Sequence, residues 1–285
     1  MERPFRSALW QKVGKAIADY RMIEEGDRIA IGLSGGKDSL TLVYVLAGLR
    51  KIAPVKFKLL AITLDLGWDQ DLKSRTALAE FCQGLGIPWY VEETRIGPII
   101  FEERRETNPC ALCARMRRGV LHRAAKRLNC NKVALGHHAD DAIETLLLSL
   151  FYEGRIKSFL PVTHLDRQGI TLIRPMVYVL ERTIREVAKT LNFPVITNPC
   201  PANGRTRRQE VKEVIDRLEA TNPNVREIIL GALQNVDLSH LWQKAPNQPE
   251  VVSGESTWPT RLPTPEDNAL YPDRHHTPPD PHWRR

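Results

Sequence analysis

Apolar residues along the chain fall into short continuous runs that alternate with stretches of helical spacing. Residues 1–22 carry Leu9, Val13, Ile17 and Met22 at helical intervals and predict an N-terminal helix. Arg28–Leu33 is a short apolar run that stops at a glycine pair, and Asp38–Leu49 then returns to helical spacing. The same alternation continues with strands at Phe57–Leu66, Trp89–Glu93 and Lys132–Gly136. Helices are expected at Leu72–Leu85, Cys110–Leu128 and Asp140–Tyr152. A strand at Thr171–Pro175, a helix at Glu181–Asn192, a short strand at Pro194–Thr197 and helices at Arg208–Thr221 and Val225–Val236 complete the pattern. Such an order predicts an α/β fold: a parallel sheet with helices on both faces. Ligands in folds of this kind lie beyond the carboxyl ends of the strands.

From Gln243 to Arg285 the pattern fails. This tail holds nine of the 20 prolines and few aliphatic residues. It cannot bury enough apolar surface to offset ordering, which predicts disorder. The expected organisation is therefore an N-terminal helix over 1–22, one domain over 23–242 and a Pro/His-rich tail over 243–285. The tail's His275, His276 and His282 are read as solvated rather than metal-binding.

The chain has 285 residues, enough for one large domain. No apolar run approaches the roughly 20 residues of a membrane span. The basic start lacks the apolar stretch and cleavage site of a secretory signal, so a cytoplasmic protein is expected. Net charge is +7, which favours a polyanionic partner. The distribution says more than the total. Between Cys113 and Cys130 stand Arg115, Arg117, Arg118, Arg123, Lys126 and Arg127 with no acid among them. A solvated helix usually mixes signs, so Arg115, Arg117, Arg118 and Arg123 are candidate RNA contacts.

The sharpest chemistry lies at Ser34-Gly35-Gly36-Lys37-Asp38-Ser39, between a strand and a helix. Two glycines let the backbone approach a phosphate, and the following helix start favours negative charge. Lys37 adds a cation, while Asp38 and Ser39 can cap the helix or hold magnesium. The spacing differs from the phosphate loop of kinases and GTPases. A second constellation, Gly136-His137-His138-Ala139-Asp140-Asp141, is delivered to the same sheet edge. Asp140 is a candidate for magnesium or for ordering the reactive phosphate. Asp141 can simply cap, with Glu144 three residues on. One of His137 and His138 can equally pack beneath the loop.

SGGKDS resembles the PP-loop of the ATP pyrophosphatases, Rossmann-like proteins that cleave ATP to AMP and pyrophosphate and adenylate a substrate. The resemblance implies that Ser34–Ser39 hold the departing pyrophosphate and that Thr63-Leu64-Asp65 faces the adenosine. It makes Lys37, Asp38 and Asp140 the catalytic candidates, with Gly136 and His137 in the nucleotide site.

There are five cysteines: Cys82, Cys110, Cys113, Cys130 and Cys200. An odd number without a secretory signal argues for thiolate chemistry rather than disulfides. Cys110-Ala111-Leu112-Cys113 places two thiols one turn apart at a helix start, where dipole and arginines should lower their pKa values. Redox, zinc and iron–sulfur readings all compete for a lone CxxC. A usual zinc site would want a second pair, and the sequence offers only Cys200. Three thiolates on a 4Fe-4S cluster would leave one iron open to sulfide or substrate, whereas structural zinc is closed. Cys82 and Cys130 are read as structural.

SGGKDS, then CALCARMRRG, then LGHHADDAIETLL, then NPC, in this order from about Arg21 to Trp242, resemble the TtcA family of tRNA 2-thiocytidine synthetases. The resemblance implies a 4Fe-4S cluster on Cys110, Cys113 and Cys200. It also implies ATP with Mg2+, and adenylation of the C2 oxygen of a cytidine at tRNA position 32 followed by its replacement with sulfur. The implied partners are tRNA and a sulfur donor such as cysteine desulfurase-derived sulfide or persulfide, with a homodimer possible. One departure stands out. Where many relatives carry a second CxxC at the third motif, this chain reads Cys200-Pro201-Ala202-Asn203, and Asn203 is a poor cluster ligand. Related 2-thiouridine enzymes add cysteine-rich zinc fingers that are missing here, and a lysidine-type ligase has no need of the cysteines. A zinc-dependent RNA-binding protein would leave SGGKDS and GHHADD unexplained.

Overall fold

Strand alternation builds the two faces of the sheet. In β1 (Arg28–Gly32), Ile29 and Ile31 enter one core while Ala30 enters another on the opposite face. The computed structural model describes residues 3–67, 72–104, 109–166, 168–196 and 207–242. In order, the further elements are α1 (Arg3–Asp19), α2 (Lys37–Leu49), β2 (Lys58–Asp65), α3 (Leu72–Gly84), β3 (Trp89–Glu93) and a single turn, α4 (Ile96–Pro98). A π-helical turn, Ile99–Glu103, leads on to α5 (Pro109–Arg127), β4 (Lys132–Ala134), α6 (Ala139–Glu153), β5 (Val162–Leu165) and β6 (Ile170–Ile173). The helices α7 (Glu181–Thr190), α8 (Arg207–Thr221) and α9 (Val225–Ala232) follow.

The six strands form one sheet in the order β3-β2-β1-β4-β6-β5. All neighbours are parallel except β5 and β6, which form an antiparallel hairpin at one edge. On one face, Ile29, Ile31, Ala61, Ala134 and Ile173 pack with residues of α1, α2, α3 and α7, among them Leu9, Val13, Leu46, Leu78 and Ile184. On the other, Ala30, Leu60, Ile62, Val133 and Leu172 meet Leu121, Ala124 and Ala125 of α5. Each fully buried Leu or Ile in these layers contributes roughly 1.5–3 kcal/mol. A third cluster joins Ile143 of α6 to Val211 and Ile215 of α8. Residues 1–236 form one compact unit. The short 3-10 turn Leu238–His240 belongs to a second unit, in which Asp237 caps the turn by accepting from the Ser239 N–H. The remaining tail, with His275, His276 and His282, lies outside the described residues.

Two expectations need correction. Pro194–Ile196 is not a strand: proline has no N–H to give a ladder, and the Ile196 N–H donates instead to the Gly35 carbonyl at 2.9 Å. The sheet is also not wholly parallel, because β5 turns back on β6 through Asp166 and Gly169.

Strand order reverses at β1. From there the chain steps to β2 and β3 on one side, then crosses back to β4 on the other. The carboxyl ends of β1 and β4 therefore flank the crevice in which doubly wound sheets bind ligands.

Candidate active site

Both sequence constellations open onto that crevice. Ser34–Gly36 joins β1 to α2, and Leu135–His138 joins β4 to α6. The two loops touch: a Cβ on Gly136 would stand 3.2 Å from the Asp38 carbonyl carbon and 3.3 Å from the Ser39 nitrogen. No larger residue fits at 136 without moving the start of α2.

Within the first loop, Gly35 has φ +82°, the left-handed region that favours glycine. Ser39 Oγ accepts from the Ser34 N–H at 3.2 Å and donates to the Gly36 carbonyl at 2.9 Å, closing the loop on itself. Gly36, the N-cap of α2, has no side chain with which to cap the helix. Its N–H groups and the dipole face the crevice, an arrangement suited to phosphate. Half-buried Lys37 lies 2.9 Å from Asp38 Oδ1 and 3.0 Å from Glu181 Oε1. Burial works against its charge, but these partners outweigh it and raise its pKa. Glu181 is likewise penalised by burial, yet Lys212 at 2.7 Å and Lys37 hold its carboxyl well below the usual range.

The second loop carries more buried polarity. Asp140 has both oxygens engaged: Oδ2 accepts from the Glu181 N–H at 2.6 Å, and Oδ1 receives Arg226 Nη1 at 2.6 Å. Arg226 is itself buried and also pairs with Asp216 and Glu219. As described, Asp140 fixes the start of α7 and anchors α9. Binding magnesium there would require it to release one of those partners. Asp141 accepts from the His138 N–H at 3.0 Å and pairs with Arg208 at 2.9 Å. Arg208 also reaches Glu144 at 3.1 Å, so Glu144 holds α8 rather than closing the expected capping box. Buried His138 lies 3.7 Å from Asp38 and from Asp140, and its Nδ1 has no hydrogen-bond partner among the described residues. His137 packs on Phe159 with ring centroids 5.1 Å apart, and burial depresses its pKa to about 4. It is the histidine that packs, yet its Nδ1 is buried without a partner among the described residues.

At the end of β2, Thr63 accepts from Trp89 Nε1 at 2.9 Å, and Asp65 accepts from the Gly67 N–H at 2.9 Å and pairs with Arg75. Both are buried one strand away from the phosphate loop.

Helix α5 links parallel strands and so runs against them, with its first turn at their carboxyl edge. Leu121 packs on the end of β1, 3.2 Å from where a Gly32 Cβ would stand. Cys113, eight residues earlier, lies about 12 Å back along the axis, beyond the strand ends. Cys110 is exposed and Cys113 half-buried in that first turn. Two soft thiol donors one turn apart fit an iron or zinc centre. The third expected ligand, Cys200, lies outside the described residues. Among the described residues no three His, Cys, Asp or Glu side chains gather as a metal site. Cys82 and Cys130 are buried, and burial pushes the Cys82 thiol up to about 11, so neither offers a thiolate. On α5, Arg115, Arg118 and Arg123 are exposed and Arg117 is half-buried. Only Arg127 among its cations forms an ion pair within the described residues, with Glu92.

Residues 6–218 match the PP-loop domain family. A tRNA-cytidine(32) 2-sulfurtransferase of Geobacter metallireducens is 45% identical over 232 residues, covering 80% of this chain and 90% of that protein. The enzyme of the same name from Pelobacter propionicus is 42% identical over 243 residues, covering 84% and 90%. The chain belongs to the tRNA-cytidine(32) 2-sulfurtransferase family. Among solved structures, the U34-tRNA thiolase NcsA of Methanococcus maripaludis, with its [4Fe-4S] cluster, superposes with a TM-score of 0.68 at 25% identity. That match covers 85% of this chain and 81% of NcsA. No described helix is long and apolar enough to cross a membrane.

The residues that sequence reasoning missed are Glu181, Arg208, Lys212 and Arg226. Each is a charged side chain near an apolar run, but its partner lies 31 to 144 positions away.

Proposed function

We propose that this chain is an ATP-dependent tRNA sulfurtransferase that replaces the C2 oxygen of cytidine 32 with sulfur. One observation carries the reading. The phosphate loop, the GHHADD loop and the CxxC turn all stand at the carboxyl edge of one sheet. A chain that only bound RNA would have no use for the first two.

In this reading ATP lays its phosphates over Gly35–Ser39, with the α2 dipole and Lys37 offsetting charge. Asp38, which is accessible, would hold magnesium, whose chemistry when bound is to offset phosphate charge, while Asp140 keeps the α7 start in place. Thr63 and Asp65 border the adenosine. The C2 oxygen of the base attacks the α-phosphorus, its bond to pyrophosphate breaks, and the oxygen becomes part of AMP, a good leaving group. Sulfur then adds to C2 and AMP departs. Cys110, Cys113 and Cys200 would hold a 4Fe-4S cluster, whose chemistry when bound is to present sulfur at an iron that lacks a protein ligand. The base must leave its stack to react, and a single-stranded anticodon loop makes this inexpensive. Arg115, Arg117, Arg118 and Arg123 contact the tRNA. The sulfur arrives at the sulfide level, from desulfurase-derived sulfide or from a persulfide whose S–S bond an external thiol reduces, and the enzyme works in the cytoplasm as a homodimer.

Pyrophosphate release from ATP, measured with and without tRNA, tests the adenylation half. Release should require tRNA and should survive Cys200→Ser, while thiolation by that variant should be lost. Wild-type thiolation by Cys200→Ser would remove the cluster from the reaction.

A further inference from the structure

Arg174 follows β6 at the same carboxyl edge. It lies just past the strand end, where Nη1 reaches Thr163, the register partner of Leu172 on the β5–β6 hairpin. The residue is more than nine-tenths buried, and its guanidinium lies 5.0 Å over the Phe159 ring that also carries His137. Nη1 donates to the Leu160 carbonyl at 2.5 Å and to Thr163 Oγ1 at 3.1 Å. Nε is buried with no acceptor, and Nη2 has none among the described residues. No carboxylate pairs with Arg174 among those residues, although a buried cation normally has one. Burial, and then the charge of Arg118, hold the Arg174 guanidinium below its usual range. The same Arg118 acts on His122, one turn further along α5, which is buried with Nε2 unpartnered.

A buried guanidinium with an unpartnered Nε and no carboxylate partner among the described residues forms a site that lacks its anion. Bidentate guanidinium recognition suits a phosphate. The phosphate loop follows β1, two strands away from β6 in the sheet order, and its backbone does not hold Arg174. We propose that Arg174 and Arg118 form a phosphate subsite for the RNA backbone beside the reacting nucleotide, between the CxxC turn and the GHHADD loop. The proposal rests on the tRNA reading above and adds a buried residue that charge patterning along α5 does not reveal. Through it, the RNA backbone would be held at the lip of the crevice while the base enters.

The test uses the full chain and an anticodon stem-loop RNA, with affinity followed by fluorescence anisotropy over a range of salt. Arg174→Gln keeps hydrogen-bonding capacity and removes the charge. It should weaken RNA binding about tenfold and make the log–log salt slope shallower by about 0.7–0.9, the signature of one lost phosphate contact. Arg174→Lys should restore the slope, and ATP affinity should not change in either variant. An unchanged slope and affinity in a folded Arg174→Gln would overturn the subsite. A loss of ATP affinity with an intact RNA slope would assign the anion to the nucleotide and also overturn it. Should Arg174→Gln fail to fold, phenylglyoxal modification of Arg118 in the wild type reads the same place. The stem-loop should protect it and ATP should not; the reverse pattern contradicts the proposal. A wild type that binds no stem-loop at all would instead sink the tRNA reading itself.

Discussion

Ile196 donates its backbone N–H to the Gly35 carbonyl at 2.9 Å, and its Cδ1 lies 3.0 Å from where a Cβ on Gly35 would stand. The phosphate loop is thus backed by the residue just before the stretch that carries Cys200. On the far side of that stretch, Arg208 pairs with Asp141 and Glu144 of the second nucleotide loop. Nucleotide site and third cysteine are tied through the chain at both ends, which gives adenylation and sulfur delivery a common frame.

Gly35→Ala tests that frame. Alanine would need a left-handed conformation, costing about 1–3 kcal/mol, and its Cβ would press on Ile196. Pyrophosphate release in the presence of tRNA should fall at least tenfold, while thermal unfolding shows only a modest drop in Tm. Wild-type release would mean that the loop's shape does not matter to turnover.

Arg226→Met tests the buried anchor. It would leave Asp140 without the cation that neutralises it, and breaking a buried pair typically costs about 3–5 kcal/mol. The denaturant midpoint should drop accordingly. A midpoint within error of wild type would show that α9 does not hold the GHHADD loop.

Stability should depend on pH through His137. Burial keeps its folded pKa at about 4, below the unfolded value near 6.5. Between these values the unfolded chain binds more protons, so stability is full above about pH 6.5 and falls as pH drops toward 4. The loss is on the order of 3 kcal/mol at most. His137→Gln should flatten the denaturant midpoint measured between pH 7 and 5. An equal slope in both proteins would place the dependence elsewhere.

Much of this arrangement was legible in the sequence because strand, glycine loop and helix are local patterns. The runs at Arg28, Lys58 and Trp89 alternate in a way that only a covered sheet explains, and SGGKDS and GHHADD sit where such strands end. The Val162–Leu165 strand escaped notice because it is short, carries Thr163 and His164, and gains its pairing only from the β6 hairpin. Pro194–Ile196 misled for the opposite reason: β-prone residues there serve Gly35 rather than a ladder. That Asp140 also anchors α9 could not be read from the sequence, because its partner Arg226 lies 86 positions away, beyond any spacing rule. Arg174, a lone cation inside TLIRPMV, was a signal of the same kind that periodicity alone cannot interpret.

The central claim is that one sheet edge joins ATP cleavage to sulfur placement on cytidine 32. Nucleoside mass spectrometry tests it most directly. Full-length protein reconstituted anaerobically with iron and sulfide is given ATP, magnesium, sulfide and unmodified tRNA, and the tRNA is then digested. The account predicts 2-thiocytidine from position 32, dependent on ATP and absent with Cys113→Ser. Cytidine left unmodified by an ATP-cleaving, cluster-loaded enzyme, or sulfur found on uridine instead, would contradict it.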